Sequence, residues 1–274
     1  MTQRTRRVPV TMTVAGSDSG GGAGIQADLK TFAALGVYGT SAVTAITAQN
    51  TLGVTAVHEV PIEVIAAQID AIATDIGVDV VKTGMLSSSA IIRSVAERLR
   101  HHRLGRMVVD PVMVAKGGDR LLQQEALDTL RRVLVPMATV VTPNLPEASE
   151  LTGKTVETLE QAREAAQEIV HGMGAQAVVV KGGHLEGPAV DLFYDGEEFH
   201  QFTAQRIKTA STHGTGCTFA SAVAAHLALG YSPLEAVAKA KRYVTNAIRK
   251  AYPIGHGHGP LNHLYRLGHR TAWG

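Results

Sequence analysis

The chain alternates short runs rich in Val and Ile with longer segments rich in Ala, Leu, Glu and Arg. Near-continuous apolar runs are typical of strands that are buried on both faces of a sheet. The pattern predicts strands over Val8–Ala15, Ser41–Ala48, Val78–Lys82, Met107–Asp110, Thr139–Thr142 and Ala177–Lys181. It predicts helices between most of them, over Ile25–Leu35, Val64–Asp75, Ala90–His101, Gln123–Val133 and Glu157–Gly172.

Strand, helix and strand at this rhythm indicate βαβ units, and therefore an α/β fold with a mostly parallel sheet and helices on both faces. Towards the C-terminus the pattern changes to a hairpin around Gly196 and two helices. These elements are predicted over Asp191–Asp195, Glu198–Gln205, Gly214–Leu229 and Pro233–Ala251. We find no linker and no internal repeat, so we predict one domain over residues 9–267, preceded by a flexible arm at 1–8.

Composition narrows the functional class. Apolar residues make up 45% of the 274 residues and the net charge is only +2, which favours a packed core over disorder. No basic run with interleaved aromatics follows the N-terminal arm, so nucleic acid is a poor candidate for a partner. One cysteine cannot form an internal disulfide, and no run of about 20 apolar residues could span a membrane. With no signal peptide in view, we expect the cytoplasm.

Segments with chemical character follow the predicted strands. In open α/β sheets, ligands bind beyond the carboxyl ends of the strands, so these loops are expected to meet at one edge. The segments are Gly16–Gly24, Gln49–Asn50, Thr83–Met85, Asp110–Asp119, Thr142–Glu147, Lys181–His184 and His213–Cys217.

The turn Gly214-Thr215-Gly216-Cys217 opens an Ala-rich helix. Unpaired backbone N–H groups and the helix dipole make such a turn an anion site, and glycine lets a phosphate approach the backbone. The same position is expected to lower the pKa of Cys217, which would suit a base acting on a hydroxyl. An ordinary glycine-rich helix cap with a small buried cysteine explains the turn equally well.

The glycine-rich segment 16–24 does not fit a dinucleotide motif, because neither register of G-x-G-x-x-G is completed. Gly153-Lys154-Thr155 likewise lacks the first glycine of a phosphate-binding loop, since Ala148 stands at that position. We interpret 16–24 as a loop that admits a small substrate, with Asp28 one turn into the next helix. Asp28 as a solvated helix residue is the alternative.

Two acids follow neighbouring strands, Asp110 and Glu147, and Mg²⁺ accepts one or two carboxylates together with phosphate oxygens. Glu147 has an alternative role as an acid that stabilises a helix N-terminus. Lys181 would face phosphates or extend along the surface, and Ala115–Asp119 would form a flap or an ordinary turn. The histidines His256, His258 and His263 stand without acids or cysteines, which makes a metal site there a weak hypothesis.

Taken together, these segments resemble the hydroxymethylpyrimidine and phosphomethylpyrimidine kinases of thiamin synthesis. The resemblance runs from about Val10 to Leu264. It is carried by AGSDSGGGAGIQADLKTF (15–32), TAQNTLGV (47–54), KTGML (82–86), VVDPVM (108–113), TPNLPEA (142–148), VKGGH (180–184), THGTGC (212–217) and GHGHGP (255–260).

The resemblance implies a ribokinase-like three-layer α/β/α fold, ATP and Mg²⁺ as cofactors, a homodimer, and two successive phosphorylations of a pyrimidine at one site. It implies a substrate pocket formed by Gly16, Gly22, Asp28, Gln49, Met85 and Val112. It implies nucleotide phosphates held by Asn144, Lys181 and Thr215, metal at Asp110 and Glu147, an anion hole at Gly214, Thr215 and Gly216, and Cys217 as the catalytic base.

Three alternatives stay open at this point. Some bacterial pyridoxal kinases resemble this branch and share the GTGC turn, and pyridoxal is also a heteroaromatic hydroxymethyl alcohol. A hydroxyethylthiazole kinase fits less well, because that family lacks the QADLKTF and TAQN segments. A relative that only binds the pyrimidine would be expected to have lost the GTGC turn, which is intact here.

Overall fold

A computed structural model describes residues 8–114, 121–123, 125–183 and 188–267. The predicted arm lies outside these residues except for Val8, as do the predicted flap at 115–119 and His184. The strands are β1 Val10–Asp18, β2 Tyr38–Gln49, β3 Val54–Glu59, β4 Val80–Thr83, β5 Met107–Val109, β6 Val140–Val141, β7 Val178–Gly182, β8 Ala189–Tyr194 and β9 Phe199–Ala204. The helices are α1 Gly24–Ala34, α2 Ile62–Ala71, α3 Ser89–His101, α4 Ala126–Thr129, α5 Leu145–Thr152, α6 Leu159–Gln167, α7 Thr215–Ala228 and α8 Pro233–Arg249.

The described strands form one sheet in the order β3-β2-β1-β4-β5-β6-β7-β8-β9. Neighbours from β2 to β7 pair in parallel, while β3 pairs with β2, β8 with β7 and β9 with β8 in the antiparallel sense. The α/β fold with a mostly parallel sheet, expected from the strand and helix rhythm, is therefore confirmed.

Successive side chains of the central strands point to opposite faces, and this divides the core in two. Val80 packs with α1, α7 and α8, whereas its neighbour Val81 packs with the layer of α2 to α6. Val140 and Val141 divide in the same way. Helices therefore cover both faces of the sheet, as the three-layer expectation required.

Two elements were not predicted. β3 has one half-buried residue followed by exposed ones, so it lacks the apolar run that marked the other strands. α5 follows a proline-rich turn, and its start is fixed by a capping box in which Asn144 and Glu147 bond reciprocally. No helix among the described residues combines the length and apolar character needed to cross a membrane.

Candidate active site

The loops that follow the parallel strands surround a cavity of about 840 Å³ at the carboxyl edge of the sheet. Most of the predicted site residues line it. These are Gly16, Gln49, Met85, Asp110, Val112, Asn144, Glu147, Lys181, Gly214, Thr215, Gly216 and Cys217. The position expected for ligands in an open α/β sheet is therefore where the structure brings these residues together.

One wall of the cavity includes a β-bulge in β1. The register of β1 against β2 shifts between Ala15 and Ser17, which leaves Gly16 at the bulge. A Cβ on Gly16 would lie 3.1 Å from the Met85 sulfur. Gly16 and Met85 are thus packed closely together in the wall of the cavity, where an apolar ring could rest against them.

The turn before α7 has the backbone geometry of an anion cradle. Gly214 has a φ of +77° and caps α7 without a side-chain hydrogen bond. A Cβ on Gly214 would collide with the carbonyl of Gly22, so glycine is required for both its conformation and the close contact. Gly22 itself packs against His213 behind this turn and is not part of the cavity wall, contrary to the expected contact with substrate.

Cys217 lies in the first turn of α7 and borders the cavity. Burial raises the pKa of its thiol to about 11, and the charges of Asp110 and Asp28 act in the same direction. Lys82 and a hydrogen bond from the Gly24 backbone N–H oppose this rise without overcoming it. The expectation of a lowered pKa was wrong, because desolvation of the thiolate outweighs the charge of Lys82 and the Gly24 hydrogen bond.

Asp28 is placed behind the cavity wall, where its side chain is fully buried. One carboxylate oxygen accepts hydrogen bonds from Lys82, at 3.0 Å, and from Thr13, at 2.6 Å. The other oxygen accepts a hydrogen bond from Ser221 at 2.5 Å. Both carboxylate oxygens are bonded inside the protein and Asp28 does not line the cavity, so the structure places it behind the wall and not at the expected position of substrate contact.

Lys82 is a site residue that sequence reasoning missed. It is fully buried at the end of β4 and borders the cavity. Burial alone would lower the pKa of its ammonium, but the Asp28 carboxylate raises it above its usual value. The available signal was a charged residue directly after Val80 and Val81 in a predicted strand, since a lysine inside a parallel sheet requires a partner.

Asp110 and Glu147 follow β5 and β6 and border the same part of the cavity. Asp110 accepts hydrogen bonds from Lys181, at 3.3 Å, and from Thr142, at 3.1 Å. Burial raises the pKa of Glu147 to about 7; Lys181 opposes this rise, and the charge of Asp110 adds to it. Two neighbouring carboxyl groups that share one ammonium would be stabilised by a further cation.

Glu147 has one contact with a helix and also faces the cavity. It stabilises the N-terminus of α5 by accepting a 2.7 Å hydrogen bond from the Asn144 N–H, and it borders the cavity. Among the residues described, no three His, Cys, Asp or Glu side chains are grouped to hold a metal ion. Mg²⁺ needs only one or two carboxylates when phosphate and water supply the remaining oxygens, so Asp110 and Glu147 fit this ion.

A second polar cluster was also missed. The Asp18 carboxylate accepts hydrogen bonds from the backbone N–H groups of Gly20, Gly22 and Ala23 at 2.8–3.0 Å, and His213 Nε2 lies 2.9 Å from it. Burial opposes its ionisation, but the His213 and backbone hydrogen bonds hold the pKa of Asp18 below its ordinary value.

The C-terminal segment closes one side of the cavity through backbone contacts. The His258 N–H donates to the Thr51 carbonyl at 2.8 Å, and the His213 N–H donates to the Gly259 carbonyl at 3.0 Å. His258 borders the cavity, whereas the buried His263 lies 3.0 Å from the Thr218 hydroxyl. These hydrogen bonds hold residues 258–263 against the site.

Comparison with known proteins agrees with the site. Residues 18–262 match the family model described as phosphomethylpyrimidine kinase. The chain is 50% identical to Bacillus subtilis hydroxymethylpyrimidine/phosphomethylpyrimidine kinase, over 92% of the chain and 94% of that relative. It is 56% identical to the thiamine biosynthesis bifunctional protein ThiED of Geobacter sulfurreducens, where 92% of the chain matches only 52% of the longer relative.

Among solved structures, an ADP complex of Bacillus subtilis pyridoxal kinase superposes with a TM-score of 0.88 at 44% identity. The match covers 95% of this chain and 100% of that one. The chain therefore shares its fold with a pyridoxal kinase that was solved in complex with ADP.

Proposed function

Because the chain belongs to the phosphomethylpyrimidine kinase family, we propose that it phosphorylates 4-amino-5-hydroxymethyl-2-methylpyrimidine with ATP and then converts the monophosphate to the diphosphate in thiamin biosynthesis. The observation that carries this is the 50% identity to a kinase of that name along nearly the full length of both chains. The cavity at the carboxyl edge of the sheet is lined both by the glycine turn 214–217 and by Gln49 and Met85, which suit a phosphate and a pyrimidine ring respectively.

The phosphates of ATP fit the part of the cavity formed by α7 and β7. The backbone of Gly214–Cys217 offers N–H donors at a helix N-terminus, which stabilise the charge of a transferring phosphoryl group. Lys181 borders the same region, and a Cβ on Gly216 would lie 3.3 Å from its ammonium. Asn144, whose side chain caps α5, places its backbone near Lys181 and completes this wall.

The pyrimidine fits the opposite part of the cavity. Gln49 carries both a donor and an acceptor for the aminopyrimidine edge. Met85, Gly16 and Val112 supply a surface on which the ring can pack. Asp28 acts here indirectly, by holding the Lys82 ammonium at the cavity wall.

In the first phosphorylation the hydroxyl oxygen of the alcohol attacks the γ-phosphorus, the bond to the ADP oxygen breaks, and the hydroxyl proton passes to the Cys217 thiolate. This step needs the thiolate, which the raised pKa makes a minor form at neutral pH. In the second phosphorylation the attacking oxygen belongs to a phosphate that is already ionised near neutral pH, so a base matters less. Phosphoryl transfer itself then depends mainly on positioning and charge stabilisation.

Asp110 and Glu147 would hold Mg²⁺ together with phosphate oxygens. The ion would supply positive charge to the oxygens of the transferring phosphoryl group. On the protein side, Lys181 orients the Asp110 carboxylate through their contact at 3.3 Å.

A pyridoxal kinase of vitamin B6 salvage is the second candidate, favoured by the structural likeness to a pyridoxal kinase at a TM-score of 0.88. ADP release by the purified protein would be measured on hydroxymethylpyrimidine, its monophosphate and pyridoxal. We expect turnover of both pyrimidines. Turnover of pyridoxal alone would refute the thiamin assignment, since a pyridoxal kinase has no reason to make a diphosphate.

The resemblance to the family also supports a homodimer that acts in the cytoplasm. Sedimentation of the protein at micromolar concentration would distinguish the dimer from a monomer of 28.9 kDa.

A further inference from the structure

Gln49 reaches the cavity from the end of β2, and its carboxamide makes two contacts inside the protein. In the structure Oε1 lies 3.2 Å from the Thr47 hydroxyl and Nε2 lies 3.4 Å from His213 Nε2. The two ends of a carboxamide have nearly the same shape, so the hydrogen-bond chemistry around them decides which end faces which neighbour. Both neighbours favour the opposite assignment, in which Nε2 faces Thr47 and Oε1 faces His213.

Thr47 gives the first argument. Its hydroxyl has one hydrogen, and the carbonyl of Ser17, which can only accept, lies 2.9 Å away. That hydrogen is therefore committed to Ser17, and the hydroxyl oxygen is left to accept. The atom of Gln49 that faces Thr47 must then be the donor, which is the amide nitrogen.

His213 gives the second and independent argument. An ionised carboxylate only accepts hydrogen bonds, so His213 Nε2, at 2.9 Å from Asp18, must carry a hydrogen. Asp18 is kept ionised by three backbone N–H donors as well as by His213. That hydrogen is donated to Asp18, so Gln49 at 3.4 Å can share it only weakly. The amide nitrogen, itself a donor, would meet this N–H with repulsion, so His213 favours the amide oxygen as the end that faces it.

The amide keeps one free N–H and one free lone pair after these two contacts. Its donor then lies on the Thr47 side and its acceptor on the His213 side. We propose that Thr47 and the His213–Asp18 pair are positioning residues that fix the polarity of the Gln49 amide and so decide which way round the pyrimidine binds. This inference rests on the proposed function, since it takes the aminopyrimidine as the ligand.

The fixed polarity has a consequence for substrate binding. On the substrate ring, a ring nitrogen and the carbon that carries the amino group are neighbours. The ring nitrogen accepts a hydrogen bond, so it pairs with the amide N–H on the Thr47 side, and the amino group donates one, so it pairs with the amide oxygen on the His213 side. An amide of the opposite polarity would bind this edge of the ring the other way round.

The test compares two alcohols that differ only in the polarity of this edge: the 4-amino substrate and its 4-oxo analogue, which carries N–H on the ring nitrogen and a carbonyl beside it. For wild-type protein we expect kcat/KM to favour the amino compound by on the order of 100-fold, because reversal leaves two buried groups unpaired. Thr47→Val removes the hydroxyl at nearly constant shape and frees the amide to turn. It should narrow this ratio roughly tenfold, while Thr47→Ser, the matched control, keeps the wild-type ratio.

A loss of activity that is equal for both alcohols would mean that Thr47 is merely structural and would overturn the inference. His213→Leu is the second variant. It should fold because Asp18 keeps its three backbone donors, and it must narrow the same ratio. A wild-type protein that phosphorylates both alcohols equally well would refute the fixed polarity and leave the kinase assignment intact. A wild-type protein inactive on the amino compound would refute both.

Discussion

Replacement of the single cysteine separates the two phosphorylations that the proposed function assigns to one site. In the first phosphorylation an alcohol must lose a proton, and Cys217 is the group at the start of α7 that would take it. In the second phosphorylation the attacking phosphate oxygen is already ionised. A positioned base contributes roughly 10²–10⁴-fold, so we expect Cys217→Ala to lower the first rate by about that factor and the second by less than about tenfold.

The raised pKa of Cys217 adds a second signature to the same prediction. With a pKa of about 11, on the order of one molecule in 10⁴ carries the thiolate at pH 7. The rate on the alcohol should therefore rise about tenfold for each unit of pH in the neutral to alkaline range. The rate on the monophosphate should lack this slope, because its nucleophile needs no base.

The assay is ADP release at saturating ATP, with each pyrimidine below its KM, between pH 6.5 and 9.5. Thermal melting of Cys217→Ala and Cys217→Ser would establish that both variants are folded, and serine would test whether a hydroxyl can replace the thiol. Equal losses on the alcohol and the monophosphate would refute a base at Cys217. So would a pH slope on the alcohol that persists in the alanine variant.

The remaining predictions concern buried charges. Lys82→Met should lower the free energy of unfolding by about 3–5 kcal/mol in urea titrations, because it leaves Asp28 buried without its cation. Lys30→Met on the exposed face of α1 is the control. Similar urea midpoints for the two variants would contradict the ion-pair argument. Burial lowers the pKa of His263 to about 4, from an ordinary value near 6.5. The stability that comes from keeping the buried imidazole neutral is therefore complete above pH 6.5. It falls by about 3 kcal/mol as the pH drops towards 4. Unfolding titrations at pH 7 and pH 4.5 should show a smaller loss of stability for His263→Gln than for wild type, and parallel losses would mean that other groups govern acid unfolding.

Much of the fold could be predicted because the apolar pattern is strong where the sheet is buried. Each of the strands β4 to β7 begins with consecutive Val or Met residues on both faces, a pattern typical of a buried parallel strand. β3 could not be recognised in the same way, since a strand at the sheet edge with exposed side chains has no apolar run. The start of α5 was detectable in principle, because Asn144, a proline two residues later and Glu147 form a recognisable helix start.

The candidate site was predictable in its position but less so in its chemistry. Loops after parallel strands converge by topology, and this required no knowledge of side-chain contacts. The direction in which Asp28 points, and the depth at which Cys217 lies, depend on packing between α1 and α7 that no local pattern records. The sequence suggested a helix N-terminus that would lower the pKa of Cys217, but the burial that raises this pKa becomes visible only in the structure.

The two lysines at the cavity differ in a way that fits different roles. Lys82 and Asp28 are both fully buried and their pair is tied to Thr13 and Ser221, so its geometry is fixed before any ligand binds. Lys181 is 14% exposed and its contact with Asp110 is longer, at 3.3 Å. A looser pair at the wall can exchange partners at lower cost than a buried one, because water already screens part of its attraction. We therefore expect incoming phosphates to engage Lys181, while Lys82 stays with Asp28 and keeps a constant positive charge beside Cys217.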